Sequence, residues 1–166
     1  MSTFVAVGNA TQPFDRMLKE VAAIVGDLPQ PVVVQRGSSR IELADCKVVD
    51  FLEMDAFERL VGEAELVIVH AGAGSAIQAI QAGRIPVVMP RRAELGEHVD
   101  DHQLEFAHEL AQLGKAVVAT NTLELQQAIG KALEMQRAKG AGASPPPLVA
   151  LVRERLEAYA RGPGAG

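Results

Sequence analysis

Short runs of apolar, often β-branched residues alternate along the chain with longer segments in which apolar residues recur every three or four positions. The short runs predict strands and the longer segments predict amphipathic helices. Strands are expected at residues 3–7, 32–35, 47–51, 66–69, 86–89 and 116–119. Helices are expected at residues 14–25, 55–63, 75–82, 101–113 and 123–137. Strands that alternate with helices are typical of an α/β fold with a Rossmann-like parallel sheet and flanking helices.

The connection between the second and third strands is short. Only residues 36–46 lie there, so we expect a loop or a short extra element instead of a full crossover helix. In the first helix the apolar residues fall on one face, which predicts packing on the sheet and not a cofactor site. These residues are Phe14, Met17, Leu18, Val21, Ala22 and Val25.

Composition divides the chain into a domain and a tail. With 166 residues and 48% hydrophobic content, the chain is large enough for one compact domain with a real core. We assign residues 1–138 to that domain. Residues 139–147, rich in glycine, alanine and proline, predict a linker. Residues 148–161 predict an amphipathic helix that either docks back or binds a partner, and residues 162–166 predict a disordered tail.

Charge and cysteine content exclude several classes of protein. A formal net charge of −5 argues against nucleic acid as a partner, because phosphate binding needs clustered lysine and arginine. The single Cys46 cannot form an internal disulfide or a cysteine-built metal site, which fits a reducing compartment. We see no signal peptide and no apolar run near the ~20 residues of a spanning helix. A cytoplasmic chain is expected, with any membrane attachment through a partner or an amphipathic surface.

The loops that follow the strands carry the candidate chemistry, because ligands of open parallel sheets bind at the carboxyl ends of the strands. The first strand is followed by Gly8-Asn9-Ala10-Thr11, whose small residues before a helix suit a diphosphate, although a plain tight turn explains them more simply. The fourth strand is followed by His70-Ala71-Gly72-Ala73-Gly74-Ser75, where glycines let a ligand approach the backbone. Ile77 stands where a dinucleotide fingerprint needs its third glycine, which disfavours NAD.

The loop after the fifth strand is far more polar than a connector needs. It contains Arg91, Arg92, Glu97, His98, Asp101, His102 and Gln103, and a solvated charged loop is the alternative interpretation. His98 and His102 have the spacing of a metal pair on one helical face, but a helix that begins near Asp101 leaves His98 in the loop. No metal site and no cofactor are therefore predicted, and Asp100 or Asp101 serves as readily as a helix cap.

Several known motifs are absent from the sequence. There is no phosphate-binding Gly-x-x-x-x-Gly-Lys-Ser/Thr loop, no Gly-x-Ser-x-Gly nucleophile elbow and no Asp-x-Asp pair. If a nucleotide sugar binds, helix N-termini and side chains must carry most of the diphosphate charge in place of a bound cation.

Taken in order, the loop sequences resemble one family. The resembling segments are Val7-Gly8-Asn9-Ala10-Thr11-Gln12-Pro13-Phe14-Asp15-Arg16, Gln35-Arg36-Gly37-Ser38, Val69-His70-Ala71-Gly72-Ala73-Gly74-Ser75, Gly83-Arg84-Ile85-Pro86-Val87-Val88-Met89-Pro90-Arg91-Arg92 and Gly96-Glu97-His98-Val99-Asp100-Asp101-His102-Gln103. They are similar to the glycosyltransferase family 28 C-terminal domain and cover most of residues 3–113. The resemblance extends to free-standing catalytic subunits of two-part transferases, namely the eukaryotic dolichol-pathway UDP-GlcNAc transferase subunit and bacterial exopolysaccharide subunits of the PssE type.

The resemblance implies a fold and a set of ligand contacts. The fold is one half of a GT-B glycosyltransferase, and the ligand is a UDP-sugar. In this resemblance, Ser75 and its turn face the diphosphate, and His102 and Gln103 contact the donor sugar. Gln78 stands where the family has a glutamate that binds the ribose. An amide bonds a ribose hydroxyl more weakly than a carboxylate does. With the loop residues above, the expected donor-binding residues are Gly8, Asn9, Ala10, Thr11, His70, Ala71, Gly72, Gly74, Ser75, Gln78, Arg91, Arg92, His98, Asp101, His102 and Gln103.

The resemblance also implies an activity. We expect an inverting hexosyltransferase that moves a sugar, glucuronic acid or N-acetylglucosamine, onto a lipid-diphosphate-linked acceptor in exopolysaccharide biosynthesis. A PssD-like, membrane-associated subunit would bind the acceptor and hold this chain at the inner face of the cytoplasmic membrane. His70, Glu97 and His98 are candidate general bases, and the partner is another source. The alternatives are a non-catalytic nucleotide-sugar-binding or regulatory module of the same fold, an NAD(P)-dependent enzyme and a UDP-sugar epimerase.

Overall fold

The computed structural model describes residues 2–140. Their strands are β1 (Thr3–Ala6), β2 (Val32–Gln35), β3 (Lys47–Val49), β4 (Leu66–His70), β5 (Val87–Met89) and β6 (Val117–Val118). Their helices are α1 (Asp15–Ala23), α2 (Met54–Glu63), α3 (Ala73–Gln81), α4 (His102–Gln112) and α5 (Thr122–Gly140). Short 3-10 turns lie at Val25–Asp27 and Ala93–Leu95. The α/β prediction is confirmed, and each strand and helix predicted within the described residues has its counterpart, with ends shifted by a few residues.

All strand pairs in the sheet are parallel, in the order β3-β2-β1-β4-β5-β6. The winding reverses between β1 and β4, which are neighbours in space, with Ala6 beside Val69. The loops that leave these two strands therefore lie side by side at the carboxyl edge. A reversal of this kind opens the crevice in which doubly wound sheets bind ligands.

Each face of the sheet is covered by helices. Along β4, Leu66 and Ile68 belong to the core under α1 and α5, whereas Val67 and Val69 belong to the core under α2, α3 and α4. Alternate residues of a strand point to opposite faces, so a strand buried on both faces is apolar throughout. The valine-rich strands of this sequence reflect that double burial.

The predicted stripe of α1 is confirmed for its first four residues only. Phe14, Met17, Leu18 and Val21 are fully buried. Ala22, by contrast, is exposed and Val25 is partly buried, because α1 ends at Ala23 and a 3-10 turn changes the direction of the chain. Ile24, which the stripe omitted, takes the buried position.

The connection between β2 and β3 contains no helix or strand, as predicted for residues 36–46. It nevertheless has a structural role. The Oγ of Ser39, a fully buried residue, accepts a hydrogen bond of 2.8 Å from the backbone N–H of Phe14. A loop from the second strand thus satisfies a donor at the start of α1.

The end of the described chain corrects one predicted boundary. Because α5 continues to Gly140, Lys139 and Gly140 belong to that helix and not to a linker at 139–147. The remainder of that linker, the helix predicted at 148–161 and the tail at 162–166 lie outside the described residues. Within residues 2–140, no helix is long and apolar enough to cross a membrane.

Candidate functional site

A cleft of about 470 Å³ lies at the carboxyl edge of the sheet, over the reversal between β1 and β4. It brings together residues from three separate predicted loops. Those that line it are Gly8, Asn9, Ala10, His70, Gly72, Gly74, Ser75, Gln78, His98 and Gln103. The cleft therefore unites the first two loops with part of the third.

The lining also contains residues that the sequence interpretation did not assign to the site. They are Gln35, Leu52, Met54 and Phe57, whereas Ala73, which also lines the cleft, belongs to the predicted turn at residues 70–75. The sequence offers a motif that could have identified Gln35, since this residue begins the Gln-Arg-Gly segment. No motif in the sequence indicates Leu52, Met54 or Phe57, because core packing explains their apolar character equally well. Phe57 does pack edge-on against Phe4, with ring centroids 5.1 Å apart.

Gln35 holds the first loop in place through both atoms of its amide. Its Oε1 accepts from the N–H of Gly8 at 3.2 Å, and its Nε2 donates to the carbonyl of Gly8 at 3.1 Å. Gly8 has a φ of +86°, a conformation that L side chains rarely adopt. Gly37 lies so close that a Cβ there would be 2.7 Å from the Gly8 carbonyl oxygen. The Gln-x-Gly segment thus supports the turn at Gly8.

His70, the last residue of β4, is enclosed between two glycines. A Cβ on Gly8 would lie 2.4 Å from its Nε2, and a Cβ on Gly72 would lie 2.1 Å from its Cε1. Both ring nitrogens have partners: Nδ1 lies 3.2 Å from the Gln103 amide nitrogen, and Nε2 lies 3.3 Å from the Ser75 Oγ. Burial, reinforced by the nearby Arg91 guanidinium, lowers the pKa of His70 to about 3. His70 is therefore neutral at physiological pH, and neither nitrogen is open to act as a base.

The N-terminus of α3 forms one wall of the cleft. Gly72 is its N-cap, and the first helical hydrogen bond runs from Ala76 N–H to the Gly72 carbonyl at 3.1 Å. The preceding N–H groups, on Ala73, Gly74 and Ser75, have no acceptor within the helix. Such groups, together with the positive end of the helix dipole, make a ready anion-binding surface. The space beside Gly74 is open, with no atom within 4 Å of a Cβ placed there.

Arg91 does not face the cleft, which corrects its assignment as a donor-binding residue. It is 1% exposed, and its guanidinium donates to the carbonyls of Val7, Gln12 and Glu97 at 2.6, 2.9 and 2.9 Å. It also stacks over the ring of Phe14, with Cζ 4.8 Å from the centroid. Burial lowers the pKa of Arg91 to about 10, with Glu97 acting in the opposite sense. Arg91 connects the first loop to the third through these three hydrogen bonds, while its buried Nε has no partner among the described residues.

Glu97 is likewise committed to structure and is withdrawn as a candidate base. Its carboxylate accepts two hydrogen bonds from Arg16, at 2.9 and 3.0 Å, and a third from the Arg92 backbone N–H at 3.0 Å. The same Arg16 guanidinium donates to the carbonyls of Pro90 and Thr120. The Arg92 side chain pairs with Glu94 outside the cleft. Arg91 and Glu97 therefore both form hydrogen bonds that connect parts of the protein.

The start of α4 accounts for the remaining polar residues of the third loop. Asp101 is the N-cap residue, but its Oδ1 accepts from the N–H of Ala93, while Asp100 Oδ1 accepts from the N–H of His102. Neither Asp101 nor His102 lines the cleft, nor do Thr11 and Ala71. Within residues 2–140, no group of three or more His, Cys, Asp or Glu side chains could hold a metal ion.

His98 remains as a candidate base on this chain. It precedes α4, as predicted, and lines the cleft, with 16% of its side chain exposed. Its Nδ1 lies 3.4 Å from both the N–H and a carboxylate oxygen of Asp100. The contact with the carboxylate requires a hydrogen on Nδ1, whereas the contact with the N–H requires Nδ1 to accept; only the first leaves Nε2 unprotonated, as a general base needs.

The fold places the chain in a structural class. It superposes on the glycosyltransferase of kitacinnamycin with a TM-score of 0.63 at 18% identity, covering 95% of this chain and 39% of that one. It superposes on MurG of Acinetobacter baumannii with a TM-score of 0.55 at 21% identity, covering 94% of this chain and 49% of that one. At these identities the likeness concerns the fold alone. That fold is one Rossmann-like half of a GT-B glycosyltransferase.

The sequence comparisons give the family. The chain belongs to the glycosyltransferase family 28 C-terminal domain, whose model matches residues 2–145. It is also similar to the UDP-N-acetylglucosamine transferase subunit ALG13 of Yarrowia lipolytica, with 39% identity over 83 residues. That match covers 47% of this chain and 38% of the relative, so it spans well under half of the relative's length. The family resemblance seen in the loop motifs is confirmed.

Proposed function

We propose that this chain is the catalytic, UDP-sugar-binding subunit of a two-part inverting glycosyltransferase. The observation that supports this most directly is the convergence of the α3 N-terminus, Ser75 and the glycine-walled Gly8 turn on one cleft at the winding reversal. Membership of family 28 supports a sugar-transfer role for that cleft. A nucleotide diphosphate is the ligand class that such a helix N-terminus suits.

The cleft would bind the diphosphate without a basic side chain. The residues of the described chain that line it include no lysine or arginine. The negative charge would then be stabilised by the N–H groups of Ala73, Gly74 and Ser75 and by the α3 dipole. The nucleoside would lie towards Leu52, Met54 and Phe57, with Gln78 beside Met54 placed to bond the ribose.

The reaction follows from this placement. The acceptor hydroxyl attacks C1 of the donor sugar as the bond from C1 to the diphosphate oxygen breaks, which inverts the configuration at C1. UDP departs with its new charge held at the α3 N-terminus. The hydroxyl proton passes to a base, for which His98 is the candidate on this chain and the partner subunit is the alternative.

The chain covers 39% and 49% of the two GT-B chains compared above. We propose a PssD-like, membrane-associated subunit that presents a lipid-diphosphate-linked sugar, in exopolysaccharide biosynthesis, at the inner face of the cytoplasmic membrane. The similar ALG13 protein is itself named a subunit. Its name makes N-acetylglucosamine the leading donor sugar. Glucuronic acid is the other candidate, and Arg91, which is buried, is not placed to pair with its carboxylate.

Gly74→Asp tests the placement of the diphosphate. The position is open and has an ordinary backbone conformation, so the new side chain fits, and an acid in the first turn of a helix favours folding. Its carboxylate would nevertheless repel the diphosphate, and we expect UDP affinity, measured by calorimetry, to fall at least about tenfold. Gly74→Asn is the matched neutral control and should retain most of the affinity. Equal UDP affinity in Gly74→Asp and wild type would refute this placement.

Catalysis is tested separately from binding. The chain is co-expressed with a candidate PssD-like membrane-associated subunit and supplied with radiolabelled UDP-sugars and a lipid-diphosphate-linked acceptor. Transfer that requires both subunits supports the proposal. UDP binding without transfer of any sugar would instead identify a non-catalytic nucleotide-sugar-binding module. In an active complex, His98→Gln should lower kcat about a hundredfold or more if His98 is the base, whereas wild-type kcat would assign the base to the partner.

A further inference from the structure

The Gln103 side chain has a fixed orientation. The backbone N–H of Arg91 donates to its Oε1 at 3.1 Å, in a buried environment. A backbone N–H can only donate, so the oxygen of the amide must face Arg91 and the nitrogen must face the other way. That nitrogen lies 3.2 Å from Nδ1 of His70. Gln103 is only 8% exposed, and its anchor, Arg91, is held by three backbone carbonyls.

This orientation determines the tautomer of His70. The Gln103 amide nitrogen only donates, so Nδ1 of His70 must accept and carries no hydrogen. In the neutral ring the proton is then on Nε2. Nε2 lies 3.3 Å from the Oγ of Ser75, which therefore accepts from it. The ring cannot tilt away, because Gly8 and Gly72 approach it closely on either side.

The tautomer in turn directs the Ser75 hydroxyl. An oxygen that accepts from His70 keeps its single hydrogen for another partner. Ser75 lies in the first turn of α3 and lines the cleft. Its O–H is thus available to donate to an anion there, beside the backbone N–H groups. If the proton of His70 were instead on Nδ1, Nε2 would accept from the Ser75 hydroxyl. The hydroxyl hydrogen would then point towards His70, and the anion would meet a lone pair of the oxygen.

We infer that Gln103 is a positioning residue, which fixes the Nε2–H tautomer of His70 and thereby makes the Ser75 hydroxyl a donor to the diphosphate. The role differs from the contact with the donor sugar that the family resemblance implies for Gln103. The identity of the ligand rests on the proposed function. The order of donors, from Arg91 through Gln103 and His70 to Ser75, rests on the structure alone.

The tautomer is measured without ligand. Long-range ¹H–¹⁵N correlation spectra of the labelled chain at pH 7 distinguish protonated from unprotonated ring nitrogens, and His70→Asn identifies the signals. We expect Nε2 protonated and Nδ1 unprotonated. A protonated Nδ1 in the wild-type chain would overturn the inference.

Gln103→Glu reverses the order of donors in a side chain of nearly equal size. One carboxylate oxygen still accepts from the Arg91 N–H, while the other now accepts from Nδ1 of His70. The proton should move to Nδ1 in the spectra, and UDP affinity should fall about tenfold or more. Gln103→Met serves if Gln103→Glu fails to fold: it removes the donor at similar volume, so both tautomers should be populated. A variant that keeps the wild-type tautomer would contradict the positioning role.

The added charge of Gln103→Glu would also weaken UDP binding, and a double-mutant cycle separates the two effects. In a Ser75→Ala background the hydroxyl that His70 orients is absent. Gln103→Glu should then lower UDP affinity much less, by about threefold or under. An equal loss of UDP affinity in the two backgrounds would overturn the positioning role. If the wild-type chain does not bind UDP at all, the proposed function fails, while the ligand-free spectra still decide the tautomer.

Discussion

Two loops at the carboxyl edge of the sheet differ in how they use their residues. The turn at residues 70–75, after β4, is built from small side chains and presents backbone N–H groups to the cleft. The loop at residues 91–103, after β5, is rich in charged side chains, yet Arg91 and Glu97 bond to other parts of the protein. In this domain the charged loop builds the framework, and the loop of small residues leaves room for the ligand.

The difference has an energetic basis. Burying a guanidinium is costly unless most of its donors find acceptors, and Arg91 finds three backbone carbonyls in two separate loops. The Arg16 guanidinium likewise donates to the Glu97 carboxylate and to the backbone carbonyls of Pro90 and Thr120. Loops contain many carbonyls without strand or helix partners, and these arginines satisfy them. Such cross-links keep the walls of the cleft at a fixed separation.

The largest expected effect comes from removing the buried arginine. Arg91→Met retains much of the side-chain volume but leaves the carbonyls of Val7, Gln12 and Glu97 unpaired. We expect the free energy of unfolding, from urea denaturation, to fall by about 3 to 5 kcal/mol. Arg92→Met is the matched control: its side chain is 40% exposed, and it should change stability by no more than about 0.5 kcal/mol. Equal, small losses in both variants would mean that the charged loop is not the framework.

Glycines at two positions of the cleft should respond in opposite directions. Gly8→Ala must adopt a φ of +86° and brings its Cβ 2.4 Å from Nε2 of His70. We expect a loss of about 2 to 3 kcal/mol in unfolding free energy together with weaker UDP binding. Gly74→Ala meets no atom within 4 Å and lies inside α3, so it should stabilise by up to about 1 kcal/mol. Destabilisation of similar size at both positions would show that close packing against His70 is not what requires glycine.

The sequence predicts the fold well because both cores impose regular patterns on it. Doubly buried strands must be apolar, and helices such as α1 must show an apolar stripe, so periodicity locates them. It also locates the cleft, since parallel strands bring their carboxyl ends to one edge. Periodicity does not predict the direction of a side chain whose hydrogen-bond acceptors lie on backbone far away in the sequence. Nothing local distinguishes Arg91, whose acceptors include Val7 at a separation of 84 residues, from its partly exposed neighbour Arg92.

The pH dependence of stability is a finer test, because His70 is the ionisable side chain of the otherwise uncharged 70–75 turn. Its pKa is about 3 in the folded chain and near the ordinary 6.5 in the unfolded one, so only the unfolded state takes up a proton as the pH falls below 6.5. The contribution to stability is therefore complete above pH 6.5 and is lost progressively towards pH 3. Between pH 7 and pH 5 the loss should be about 2 kcal/mol in urea denaturation.

A His70→Gln variant should lose that part of the slope, whereas Gly74→Ala, which changes no ionisable group, should keep the wild-type slope. The difference between the slopes isolates His70 from the carboxylates that titrate in the same range. If His70→Gln and wild type have equal slopes, His70 is protonated as readily in the folded chain as in the unfolded one. The turn would then present a cation to the diphosphate, and the contrast between a neutral turn that binds and a charged loop that supports would no longer hold.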